Sequence, residues 1–147
     1  MENIAYDKDV IAWSREQARL LRAGRFAQLD IEHLADEIED VGKSEKRELA
    51  SRMSVLLAHL LKWQHQPDRR GRSWRTTIEV QRDSIAIALR QTPSLKATMR
   101  DPDWQKVVWG DARDIAGRET GLDVDFGAAC PWTEAQVLGV DWLPGEG

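Results

Sequence analysis

Between Ser44 and Gln64 the chain is apolar on most sides of the helix it is built to form. At about 100° per residue, Leu49, Met53, Val55, Leu56, Leu57, Leu60, Leu61 and Trp63 cover well over half of the circumference. Much of the remainder is small: Ser51, Ser54 and Ala58 recur at spacings of three and four, where a second helix can approach closely. A helix apolar on most faces must be enclosed by others. Residues 44–64 are therefore expected to form the buried axis of the fold, capped by Ser44 and stopped before Pro67.

Helix signals continue on either side. Asp9 to Ala23 reads as a first helix with Gly24 as a left-handed stop, and Asp30 as the N-cap of a second helix ending at Gly42. Ile31, Leu34, Ile38 and Val41 step by three, four and three along that second helix, the stripe of an amphipathic element facing a core. A fourth helix is expected from Ser73 to Thr92 with Trp74, Ile78, Ile85 and Leu89 inward. A short one follows over Leu95–Arg100, and Asp101-Pro102-Asp103 opens another that carries Trp104, Val107, Val108 and Ile115 to Gly121. Thr133 caps a last turn or two to Leu138. Only Leu122-Val124-Phe126 alternates, too little for a sheet. With 147 residues and 31% charged side chains, the expectation is all-α: a compact single-domain bundle, 1–147, of about five to seven helices around a buried central helix (44–64).

The composition excludes several classes. The lone Cys130 rules out an internal disulfide and a thiolate zinc cage, and places the chain in a reducing cytoplasm. No secretory signal and no membrane-spanning run is present in the sequence, so no membrane partner is expected. The net charge of −4 is unevenly spread: Lys62 to Arg82 holds six basic residues against Asp68 and Glu79, whereas Asp30 to Asp40 holds six carboxylates and no Lys or Arg.

The basic segment centres on a turn in which Trp63, His65 and Trp74 surround Arg69, Arg70, Arg72 and Arg75. Guanidinium forks beside aromatic rings suit an anionic ligand, whether carboxylates of an acidic protein partner or phosphates of a nucleic acid. They equally suit an internal role, neutralising acidic helices and covering tryptophan. A second constellation, Glu37, Glu48, Arg52, His59 and Arg82, reads as a buried polar cluster between helices, since buried ionic groups need partners. His33, Glu37 and His59 are the metal-ligand candidates and Glu37/His59 the corresponding catalytic pair, but a hydrogen-bonded core His59 explains the residues more simply. Asp111 falls among Trp104, Val108 and Ile115, where a carboxylate needs a partner. No catalytic set, cofactor motif or glycine-rich phosphate loop stands out.

The ordered motifs Leu20-Leu21-Arg22-Ala23-Gly24-Arg25-Phe26, Leu34-Ala35-Asp36-Glu37-Ile38-Glu39-Asp40-Val41-Gly42 and His59-Leu60-Leu61-Lys62-Trp63-Gln64 resemble the bacterial family called domain of unknown function twenty-nine. The resemblance continues through Arg72-Ser73-Trp74, Pro93-Ser94-Leu95, Glu119-Thr120-Gly121-Leu122 and Cys130-Pro131-Trp132-Thr133. It implies an all-helical bacterial protein of this length and no particular activity. Where the family pattern has two glutamates this chain has Asp36-Glu37, which weakens any metal site needing both. The expectation is a non-enzymatic interaction or regulatory module using the Trp63–Arg75 surface towards an acidic partner or in self-association. The alternatives are nucleic-acid binding by the same turn and a small metal-dependent enzyme on Glu37/His59.

Overall fold

The computed structural model describes residues 5–145, and these are all-α with no strand among them. Six α-helices occur in the described residues: α1 (Val10–Arg22), α2 (Ile31–His65), α3 (Arg72–Gln91), α4 (Leu95–Met99), α5 (Pro102–Thr120) and α6 (Glu134–Leu138). Single 3₁₀ turns lie at Phe26–Gln28 and Pro67–Arg69. The chain divides at Ser44/Glu45 into two compact units. No helix among the described residues is long and apolar enough to cross a membrane.

Most helix ends follow local chemistry. Ala12 N–H donates to Asp9 Oδ1 at 3.0 Å, and Asp103 N–H to Asp101 Oδ1 at 3.1 Å, capping α1 and α5. α6 opens on a full capping box between Thr133 and Gln136. Gly121 ends α5 at φ 68°, and Gly24 turns the chain after α1 at φ 72°. α3 begins two residues earlier than expected, at Arg72, with Gly71 rather than Ser73 as its N-cap and no side chain closing the cap.

One boundary differs from the sequence reading. Gly42 does not end a helix and Ser44 does not cap one; α2 is a single helix of 35 residues. Gly costs a helix interior about 1 kcal/mol relative to Ala, whereas proline costs about 3. Lys43, Glu45, Lys46 and Arg47 follow Gly42 at once and are good helix formers, so one glycine is outvoted. The expected 44–64 element survives as the C-terminal part of α2, and it is buried as expected: Leu49, Leu56, Leu60, Leu61 and Trp63 are each exposed by 1% or less.

In the second unit, α2 is enclosed by Ile78 and Ile85 of α3, Leu95 and Met99 around α4, Val108, Trp109, Ala112 and Ala116 of α5, and Val137 of α6. The small-residue face works as read. Ser54 Oγ donates to Ala50 O of its own helix at 2.8 Å and lies 3.4 Å from Val108 O, so α2 and α5 run at close approach there. Ala58, Ala112 and Ala116 are fully buried, while Ser51 stays exposed. α5 turns Trp109, Ala112 and Ala116 inwards with Val108. Consequently Val107 is exposed and Asp111 lies on the solvent side, contrary to the sequence expectation.

In the first unit, the stripe expected to face a core is largely in water. Ile31, Ile38 and Val41 are 68%, 70% and 65% exposed, and only Leu34 is half-buried. The face of α2 that packs in this unit is instead that of His33, Leu34 and Glu37.

The continuity of α2 makes Gly42 testable. Its backbone is helical and a Cβ added there meets nothing within 4 Å. Gly42→Ala is therefore expected to stabilise the protein by about 0.5–1 kcal/mol in urea unfolding. A loss of stability would mean that the helix ends there after all.

Candidate functional site

The turn between α2 and α3 brings most of the expected surface residues together but sorts them into two groups. Trp63 is not at the surface: it is 1% exposed. Arg70 folds back over it, donating through Nε to Trp63 O at 2.6 Å with its guanidinium 5.3 Å from the ring centroid. The Arg75 guanidinium lies 4.9 Å from the same centroid. Two cations over one indole are attracted by its quadrupole. Burying the ring beneath them removes Trp63 as a base-stacking platform. Trp74 is half-buried, with Lys62 Nζ 5.9 Å from its ring, and His65 packs edge-on against Phe126 at 5.1 Å.

Arg69 and Arg72 are exposed, as is Arg75 despite its contact with the ring. Together with Arg70, Arg75 and Gly71 they stand at the start of α3, where backbone N–H groups have no side-chain cap and the helix dipole is positive. A cleft of about 510 Å³ is lined there by Trp63, Arg70, Arg72, Arg75 and Glu79. Lys62, which opens this basic segment, is turned the other way: it is buried, ion-paired with Glu119, and desolvation lowers its pKa.

The expected buried polar cluster does not assemble. Glu48 and Arg52 pair with each other at 3.0 Å on the surface, because the i,i+4 spacing satisfies both within one helix. His59 is half-buried and its Nδ1 lies 2.9 Å from Val55 O of its own helix. Arg82 is buried, but its partners are backbone carbonyls: Val137 O at 2.9 Å, Trp142 O at 2.8 Å, and Val140 and Gln136 O at 3.4 Å. It pins the C-terminal segment to α3. Charge-assisted donation to four carbonyls compensates its desolvation without a carboxylate.

Glu37 belongs to a polar and aromatic knot in the first unit, as does His33. Tyr6 donates its hydroxyl to Glu37, which pushes the phenol up to about 12, the hydrogen bond being the main cause. The Tyr6 ring stacks on His33 at 4.2 Å and meets Trp13 edge-on at 4.9 Å. Asp30 gathers the rest. Trp13 Nε1 donates to it at 3.0 Å, His33 Nδ1 lies 2.8 Å away, and its own N–H donates to Gln17 at 2.8 Å. His33, Glu37 and His59 thus form no ligand set, and no group of three or more His, Cys, Asp or Glu among the described residues is arranged to hold a metal ion. The sequence reading missed Tyr6, Trp13 and Gln17 in this knot. Their signal was faint: Trp13, Gln17 and Leu20 share one face of α1 at spacings of four and three, with a glutamine where an apolar residue would be expected.

The two half-buried histidines titrate in opposite senses. Asp30, by hydrogen bond first, raises His33 above its usual 6.5, whereas burial lowers His59. The His33 contribution to stability is complete below pH 6.5 and is lost as pH rises through the higher folded value. His59 acts oppositely, its burial opposing protonation as pH falls below 6.5. Two-dimensional NMR titration should give one pKa on each side of the ordinary value. The stability difference between wild type and His33→Gln should shrink from mildly acidic to mildly alkaline solution. A difference that grows with pH would contradict the Asp30–His33 bond.

The family model called Domain of unknown function DUF29 matches residues 5–143, nearly the whole chain, and the protein belongs to that family. No curated protein and no solved structure matches it.

Proposed function

We propose that this DUF29 protein is a non-enzymatic interaction module whose arginine turn, between α2 and α3, engages an acidic segment of a partner protein. The observation that supports the reading is the division of labour in the turn. Half-buried Arg70 and exposed Arg75 stack over a buried Trp63, and Arg69 and Arg72 stand exposed beside them at the uncapped start of α3. The stacked pair presents planar forks to carboxylates with little ordering cost, and its neighbours add two further exposed cations. Nucleic-acid binding is the weaker alternative, because the tryptophan that would have stacked a base lies beneath the arginines.

Arg70 holds the turn together, so the informative change is Arg69→Glu with Arg72→Glu, both on the surface. Wild type should bind fluorescent poly-glutamate at low ionic strength in an anisotropy titration, and the double variant should bind about tenfold or more weakly. Equal binding by the variant, or none by wild type, would remove the proposal. Tight binding of a single-stranded oligonucleotide with a steep salt dependence would favour the alternative.

Self-association is a second reading, favoured by the exposed Ile31, Ile38 and Val41 of α2. The occupant would be another copy. Arg15, Arg19, Arg22 and Arg25 lie in and just after α1, opposite in sign to the six carboxylates at 30–40, so a two-fold pairing sets α1 of each copy beside α2 of the other. Sedimentation of wild type at about 100 μM should show dimer, and Ile38→Glu should return it to monomer. A monomeric wild type would end this reading.

A further inference from the structure

A second cavity, unrelated to the arginine turn, lies in the second unit between α5 and the segment leading into α6. Its volume is about 420 Å³, within the roughly 300–1,000 Å³ typical of small-molecule sites. Trp104, Trp109 and Trp132 form much of its wall, with Met53 of α2 behind them. Trp109 and Trp132 meet edge-on, with centroids 6.0 Å apart. Rings fixed at right angles give a rigid apolar surface, and methionine adapts to irregular shapes.

Two groups at this cavity set the polarity of what would fit. Trp104 lines it and has a buried Nε1–H with no hydrogen-bond partner, an uncommon state for an indole so enclosed. Lys106, one turn along α5 from Pro102, brings an exposed ammonium to the same lining. The acid at the cavity, Glu134, lies 3.9 Å from Arg100, which offsets its charge. A cation beside an apolar aromatic wall calls for an apolar body that ends in an anionic acceptor. We infer that this cavity binds a small apolar carboxylate, aromatic or medium-chain, with its acid group towards Lys106.

The chain supplies its own reporter. Cys130 is its only cysteine, lines this cavity and is half-buried, with Sγ 3.6 Å from Trp132 O. The experiment uses the full chain and two probes: anilinonaphthalene sulfonate as a fluorescent apolar anion, and decanoate as its competitor. The fluorophore should bind one per chain, decanoate should displace it, and saturating decanoate should slow reaction of Cys130 with Ellman's reagent by about tenfold or more. Ala129→Trp, an exposed position on the cavity lining, should weaken both ligands about tenfold without a lower melting temperature. Lys106→Ala should weaken decanoate but not decanol. The proposal is overturned if decanoate leaves Cys130 labelling unchanged, if Ala129→Trp binds as wild type does, or if decanol binds wild type as tightly as decanoate.

Discussion

The C-terminal half of α2 has hydrophobic side chains on almost every face, and no other element could satisfy it by covering one side alone. Each large aliphatic side chain removed from water there contributes about 1.5–3 kcal/mol. Leu49, Leu56, Leu60 and Leu61 therefore outweigh any single polar contact in the second unit. Enclosing a rod requires helices on several sides, and α3, α4, α5 and α6 supply them. Small residues on α2 and α5 mark where these two helices can come close. Where Ala58 is fully buried on α2 and Ala112 and Ala116 on α5, side chains no longer hold the backbones apart. A serine hydroxyl then reaches the carbonyl of Val108 on α5.

This dependence explains which features were legible in the sequence. Helix class, the buried axis, the Asp101-Pro102 start, the Gly121 stop and the Thr133 cap are each written in a few adjacent residues. The Gly42 boundary was misread because a glycine followed two residues later by serine resembles a stop and a cap. Propensity acts over a whole window, however, and that window favours helix. Orientation was harder. The stripe Ile31, Ile38, Val41 has the period of a core face, but periodicity cannot say whether anything lies opposite. Asp111 and Val107 illustrate the same limit on α5, where a face centred on Trp109 and the alanines replaced one centred on Trp104 and Ile115.

The polar groups were the least legible, for a physical reason. Sequence reasoning pairs side chains with side chains, whereas most protein hydrogen bonds involve the backbone. Arg82 found four carbonyls of the tail, and His59 found one of its own helix; neither partner leaves a mark in composition. Glu48 and Arg52 solved their problem locally. Among the described residues the Asp30 knot is the side-chain network of the first unit, and it draws in Tyr6 and Trp13, which spacing and composition do not single out.

The arginine turn joins both lessons and shows why residue type alone could not define the surface. Four guanidiniums so close in sequence repel one another, and the attraction of two of them to one buried indole offsets part of that cost, while Arg69, Arg72 and Arg75 keep contact with water. On the proposed reading, an anion meeting Arg69 and Arg72 would find Arg70 and Arg75 already stacked on the ring. Affinity on such a surface arises from preorganisation more than from area. The uncapped N-terminus of α3 acts in the same direction, because its free N–H groups have no internal claimant. On the proposed reading, a serine or aspartate in place of Gly71 would close that cap and withdraw an N–H donor from the anion.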